Sequence, residues 1–300
     1  MIRRFFLGLT IASVAAACSG GSTPESTASK KPVIGVSLFT STHAFYKELE
    51  AGLRSEAAAK GFDLVVVSCE MDSTKQASQL EDFVARKVTA ILAAPCDSSA
   101  VVPALAGPEK ANIPVFTVDI AAHGGKVVSH IASDNVQGGR LAAEALAGFM
   151  GGTGEVVIID QPTVASVQDR VRGFEEGIKK YPGIAVVAKP NGNGNRAAAT
   201  QAMEDMLQAH HNIKGVFGIN DDSALGAAGV IEAAKRTDIA VVGYDATDEA
   251  QAAIRKGGPL KADVVQSPRK IGETAIDVIA RYLKGEKVEP IIPIDVGIWK

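Results

Sequence analysis

The 300-residue sequence predicts an α/β protein of two lobes with a cleft between them, each built on a parallel sheet with helices on both faces. Three observations carry that prediction. Short, continuous apolar runs alternate with amphipathic helical stretches from Val33 to the C-terminus, the pattern of strands buried on both faces in βαβ units. The alternation falls into two comparable series. Several of the apolar runs end on a polar residue, and in open α/β sheets ligands bind beyond the carboxyl ends of the strands.

In the first series, Val33–Leu38, Leu64–Ser68, Ala90–Ala94 and Val115–Asp119 read as strands. Phe45, Leu49, Leu53 and Ala57 recur every four residues on one helix face, and Leu80, Phe83 and Val84 mark a second helix. Gly61 stands where a left-handed helix C-cap is wanted. In the second series the strands are Val156–Asp160, Ile184–Ala188, Gly215–Asn220, Ile239–Asp245 and Lys261–Gln266. Its helices carry Leu141/Ala145/Phe149, Val167/Val171/Phe174/Ile178, Met203/Met206/Leu207 and Leu225/Ala228/Ile231. A last helix, Ile271/Ala275/Ile279/Leu283, precedes one more apolar run, Ile291–Ile298.

The N-terminal residues bear on the compartment. Arg3 and Arg4 precede an apolar stretch from Phe5 to Ala17, too short to cross the ~30 Å bilayer core as a helix, so it reads as an export signal. Ala15, Ala16 and Ala17 lead into Cys18 and resemble the lipobox of bacterial lipoproteins, with Ala where the motif usually carries a bulky apolar residue. That resemblance implies acylation of Cys18 and a membrane anchor without a spanning helix. Ordinary cleavage is the alternative. The following Ser/Thr/Gly/Pro-rich segment, 18–31, reads as a flexible tether. Without residues 1–17, 29 basic and 34 acidic residues remain, a net charge of −5. A mildly acidic chain is no nucleic-acid surface. Cys69 and Cys96 follow strands that are not expected to be sheet neighbours, so two separate buried thiols are expected rather than a disulfide.

The strand-end residues Asp119, Asn220, Asp245 and Gln266, with His43, Phe45 and Tyr46 after the first strand, are the candidate site. Carboxylates and amides pair with vicinal hydroxyls, and aromatic faces cover the C–H side of a sugar ring. Each Asp or Asn alone can equally be a helix N-cap. Asp119 and Asp245 could also be the acid pair of a glycosidase. No GxSxG elbow or phosphate-binding loop occurs. Gly192-x-Gly194-x-x-Ala197 fits the dinucleotide fingerprint superficially but reads as an Asn-supported turn. His210-His211, at a helix end, has no partners at zinc spacing. No cofactor is expected.

At these residues the chain resembles the ribose-type periplasmic sugar-binding proteins, from about Pro32 to Val296. The resemblance rests on VFTVDIAAHGGKVVSHIASDN (Val115–Asn135), GVFGINDDSALGA (Gly215–Ala227), VVGYDAT (Val241–Thr247) and YLKGEKV (Tyr282–Val288). It implies the type I periplasmic binding fold, with Rossmann-like lobes at 32–133 plus 267–295 and 134–266 plus 296–300 joined by a three-segment hinge. It implies a monomer that closes on a sugar and delivers it to an ABC transporter permease at the cell envelope. The family's stacking aromatics fall on Phe45 and Tyr46, its preceding polar position on His43, and its hydroxyl-binding acid on Asp119. Asn220, Asp245 and Gln266 match the second lobe's contacts. Ile120 and Gln168 stand where ribose binders carry arginines. Arg170 lies two residues beyond the second of these, where related proteins also carry a structural arginine; the family's second-lobe aromatic has no counterpart in Asn191–Asn195, where Asn193 or Asn195 could reach the cleft. With those donors missing, a monosaccharide other than D-ribose, or a polyol or inositol, is expected. The sugar-responsive repressors share this core but carry a helix-turn-helix where this chain has its export signal and tether.

Overall fold

The computed structural model describes residues 31–300 together with Met1, Ile2 and Phe5. The expected signal cleavage region, Cys18 and the tether up to Lys30 lie outside the described residues.

The first sheet contains β1 (Val33–Leu38), β2 (Asp63–Ser68), β3 (Ala90–Ala93), β4 (Val115–Val118), β5 (His130–Ser133) and, from near the C-terminus, β11 (Ile291–Ile294). Its order is β11-β5-β4-β3-β1-β2, parallel throughout. Helices α1 (Ala44–Lys60), α2 (Ser73–Ala85), α3 (Ala106–Lys110) and α9 (Pro268–Leu283) flank it. The second sheet contains β6 (Thr153–Ile159), β7 (Gly183–Ala188), β8 (Ile213–Gly218), β9 (Ala240–Asp245), β10 (Leu260–Val265) and β12 (Gly297–Trp299). Its order is β12-β10-β9-β8-β6-β7, and only β12 runs antiparallel. Helices α4 (Asn135–Phe149), α5 (Ala165–Ile178), α6 (Arg196–Ala209), α7 (Asp221–Ala233) and α8 (Asp248–Lys256) flank this sheet. Two α/β lobes with mostly parallel sheets result, the fold class that the sequence predicts. The chain passes between the sheets three times, after β5, after β10 and after β11.

The helix pairs that carry site residues pack through glycine. A Cβ at Gly52 of α1 would collide with the Arg269 carbonyl of α9. One at Gly139 of α4 would collide with the Arg170 carbonyl of α5. Backbone contacts this close set the position of α1, with its aromatics, and of α5, with Arg170. Gly61 ends α1 at φ 75°, and the Phe62 N–H donates back to the Ala57 carbonyl at 2.8 Å, the expected left-handed cap.

Three expectations are corrected. His130–Ser133 is a strand that the apolar pattern does not reveal. Four residues long, it exists because β4 and β11 pair with it on its two edges. The run Ile291–Ile298 is two strands in different sheets, broken at Asp295-Val296. Pro293 sits in β11, at the sheet edge, where a missing N–H costs no ladder bond. Finally, Cys69 and Cys96 form a disulfide. Their strands β2 and β3 are indeed not neighbours, because β1 lies between them. The loops beyond both strands curl over the end of β1, and each sulfur rests against the Phe39 carbonyl oxygen, at 3.5 and 3.6 Å.

Candidate ligand-binding site

A cavity lies between the two sheets at the carboxyl ends of their strands. Its walls bring together nine residues the sequence singles out: His43, Phe45, Tyr46, Asp119, Ile120, Arg170, Asn220, Asp245 and Gln266.

The first lobe supplies the aromatic wall. Helix α1 begins directly after His43, so Phe45 and Tyr46 fall on its first turn and face inward, 6% and 4% exposed. Their rings meet edge to face at 5.2 Å, and Phe39, just beyond β1, stacks on Tyr46 at 5.8 Å. The Tyr46 hydroxyl donates to Asp119 Oδ2 at 2.5 Å. Burial, reinforced by the Asp119 carboxylate, pushes the Tyr46 hydroxyl well above its ordinary pKa.

Asp119 owes its aim to a local turn. The Ile120 N–H donates to the Val118 carbonyl at 2.7 Å, closing a three-residue turn with Asp119 at φ 63°. Its Oδ1 is buried and has no partner among the described residues. Burial raises its pKa, opposed by the Arg170 charge and the Tyr46 hydrogen bond.

The second lobe supplies the polar wall. Arg170 of α5 is buried and held on three sides. Its Nε donates to Asn135 Oδ1 at 2.9 Å, its Nη1 to the Ile219 carbonyl at 2.8 Å, and its guanidinium lies 3.9 Å above the Tyr244 ring. Asp245 Oδ1 is 3.9 Å from Nη1. Asp245 ends β9 at φ 119°, followed by Ala246 at φ 53°. Burial, then the nearby Asp221 carboxyl, pushes the Asp245 carboxyl well up. Gln266 bridges two of the crossing segments. Its Nε2 donates to Asp245 Oδ1 at 2.6 Å, and its Oε1 accepts from the Ser133 hydroxyl at 2.5 Å. Asn220 serves both readings the sequence left open. It caps α7 through the Ser223 N–H, and it also lines the cavity.

Two contacts tie the walls together. His43 Nε2 lies 3.5 Å from Asp222 Oδ2, across the cleft. Burial lowers the His43 pKa, opposed by the Asp222 and Glu70 charges. Ser98, beyond β3, donates its N–H to the Thr163 carbonyl at 3.1 Å and accepts from the Ala165 N–H at 2.8 Å.

Gln168 and Asn195 do not line the cavity. Gln168 is exposed and donates to the Pro162 carbonyl; a helix presents residues two apart to different faces, so Arg170 points inward and Gln168 outward. Asn195 is spent as the N-cap of α6, accepting from the Ala198 N–H. Sequence reasoning missed Phe39, Gln161, Val164, Ser166 and Val167 in the lining. Phe39 and Gln161 each stand just past a strand, so the strand-end rule extended by one or two residues finds them. The other three depend on where the turn into α5 lands.

The comparisons with known proteins agree with this architecture. The periplasmic binding protein domain matches residues 34–287. The chain is 32% identical over 289 residues to the ribose import binding protein of Salmonella typhimurium, covering 96% of this chain and 97% of that one. It is 35% identical over 271 residues to the ribose import binding protein of Bacillus subtilis, covering 90% and 88%. An ABC transporter solute-binding protein from Agrobacterium vitis, solved with α-D-tagatopyranose, superimposes with a TM-score of 0.85 at 28% identity, covering 90% of this chain and 95% of that one. With two parallel-sheet lobes, three crossings and a polar cleft at the strand ends, the chain belongs to the periplasmic binding protein family, among the ribose-type sugar-binding proteins of ABC transporters.

Proposed function

We propose that the cavity takes a neutral polyhydroxylated molecule, a monosaccharide other than D-ribose or a polyol or inositol, and that the lobes close around it. The observation that carries this reading is Asp119 Oδ1. A buried carboxylate oxygen without a partner costs about 1–3 kcal/mol, and a ligand hydroxyl would satisfy it. Around it stand what a sugar needs: ring faces from Phe45 and Tyr46, a fixed guanidinium at Arg170, and an acceptor at Asp245.

The polar groups now bond to one another, Tyr46 to Asp119 and Gln266 to Asp245. Ligand hydroxyls would compete for these partners. Because the two walls come from different sheets, a ligand touching both favours the closed arrangement by its differential contacts there. His43–Asp222 and the Ser98 pair would add to closure. Departure from D-ribose is argued from Ile120, an apolar side chain in the cavity wall, and from Gln168, which faces away. One guanidinium remains where the resemblance suggests more. On this reading the chain binds and releases its ligand unchanged, docks on an ABC permease as a monomer, and is held at the cell envelope through an acylated Cys18.

A thermal-shift screen of the purified protein against pentoses, hexoses, polyols and inositols tests the reading. At a thousandfold excess over Kd a ligand adds ~4 kcal/mol of stability. The expected result is a larger shift with a hexose, ketose or polyol than with D-ribose. A dominant D-ribose shift overturns the specificity, and silence across the panel overturns the sugar reading. Mass spectrometry of the mature N-terminus tests the anchor.

A further inference from the structure

Behind the cavity wall, two carboxyl groups grip the turn that aims Asp245. Asp221, the first residue of α7, accepts at Oδ2 from the Thr247 N–H at 2.7 Å and from the Thr247 hydroxyl at 2.5 Å. Asp263 of β10 accepts at Oδ1 from the Ala246 N–H at 3.2 Å. Both side chains are buried, 5% and 0% exposed. The turn they hold contains two consecutive non-glycine residues at positive φ, Asp245 and Ala246, a conformation that persists only where its surroundings impose it.

The two remaining oxygens, Asp221 Oδ1 and Asp263 Oδ2, are buried and have no donor among the described residues, and the two carboxyl groups converge behind one turn, Asp263 on the Ala246 N–H and Asp221 on that of the next residue, Thr247. Two ionised carboxylates offer four acceptors and no donor, so neither free oxygen can satisfy the other. One proton between them removes a buried charge and gives each a partner. We propose that Asp221 and Asp263 share a single proton at neutral pH, and that this acid pair is the positioning device that holds the Asp245–Thr247 turn in place for the ligand.

The electrostatic surroundings favour the proton. The Asp245 carboxyl at the end of β9 and the Asp222 carboxyl on α7 both oppose a second negative charge on the pair. The nearby cations are engaged elsewhere, Arg170 beside Asp245 and Arg196 on Asp222 and Glu249. Burial raises the pKa of both acids, and Asp263 is pushed well up by Asp221 and Asp245 as well. The role in ligand binding rests on the reading of Asp245 as a ligand contact; the shared proton does not.

The test uses D221N, D263N and the double variant D221N/D263N of the whole protein. In either single variant the amide oxygen keeps the backbone bonds, and its NH2 replaces the shared proton as a permanent donor. In the double variant the two NH2 groups meet, donor against donor. Infrared spectra in H2O and D2O should show a protonated-carboxyl band at pH 7 that disappears in each single variant. Each single variant should melt within about 3 °C of the parent, and the double variant by about 6 °C or more below it. Hydrogen exchange at Ala246 and Thr247 should accelerate at least tenfold in the double variant and stay near parental in the singles. The melting temperature of the parent should also fall more steeply above pH 5 than that of D263N. The native pair holds a proton that the unfolded chain has lost, and such stability declines as pH rises. A band lost in only one single variant, or no such band, overturns the shared proton. Unchanged exchange in the double variant overturns the positioning role. If these results hold and the sugar screen is silent, Asp245 loses its binding role while the acid pair stands.

Discussion

Each lobe points one aspartate into the cavity from a strained backbone, and the two lobes hold theirs by different means. Asp119 sits in a turn closed by its own neighbours, Val118 and Ile120, and its side chain is anchored by one hydroxyl, from Tyr46. Asp245 sits at φ 119° in a turn that its neighbours do not close. Asp221, Asp263 and Gln266, drawn from α7, β10 and the residue just beyond β10, secure it. The first lobe's wall is aromatic, and the disulfide pins the loops beneath Phe39. The second lobe's wall is charged and rests on buried acids. A short-range turn makes one aspartate nearly independent of distant groups, whereas a network makes the other responsive to them.

The largest expected effect removes the first lobe's pin. The loop closed by Cys69–Cys96, with a sequence separation of 27, is worth about 3.5 kcal/mol by chain entropy. C69A/C96A should therefore lower Tm by on the order of 10 °C. If ligand affinity falls with it, the aromatic platform depends on the bridge; if affinity holds, α1 alone fixes it.

Acid comes next, and it separates the lobes. Burial pulls the His130 imidazole of β5 down to about 4, against the Thr117 contact. The folded value lies below the unfolded one, so neutral His130 contributes stability that is complete above pH ~6.5 and is lost as pH falls towards 4. The shift corresponds to roughly 3 kcal/mol. H130N should flatten the melting profile across that window. The second lobe's acid pair has the opposite sign, losing stability as pH rises, and H130N should leave that limb alone.

Asp245→Ala should weaken ligand binding at least tenfold by calorimetry, since hydrogen bonds to charged groups are worth about 1.5–3 kcal/mol. An unchanged affinity removes Asp245 from the site. Tyr46→Phe, the smallest change, deletes the hydroxyl on Asp119 Oδ2 and should cost about 1 kcal/mol of stability while keeping the ring face. A larger loss would mean that the turn at Asp119 is less self-sufficient than its geometry indicates.

Much of this was legible in the chain. Continuous apolar runs revealed nine of the strands, because a strand buried on both faces needs no polar alternation. Asp119, Asn220, Asp245 and Gln266 were found because a strand end in such a sheet is where the chain leaves the core. His130–Ser133 was hidden because its strand character comes from its two partners rather than from its own residues. Gln168 stands at the family's sugar-contacting arginine position and Arg170 at one read as structural, yet the phase of α5 turns Arg170 into the cavity and Gln168 out to solvent. Asp221 and Asp263 were invisible as a pair, being 42 positions apart on different elements.

The sequence by itself determined the two-lobed α/β class, most of the strand ends and the chemical character of the cleft. These follow from local periodicity and from the residue at which each apolar run stops. Only the tertiary structure decided the Cys69–Cys96 bridge, the side of α5 that faces the cavity and the acid pair behind Asp245. Each of these depends on where loops and helices from separate units converge, and that geometry is set by packing across the sheets rather than by any segment's own preference.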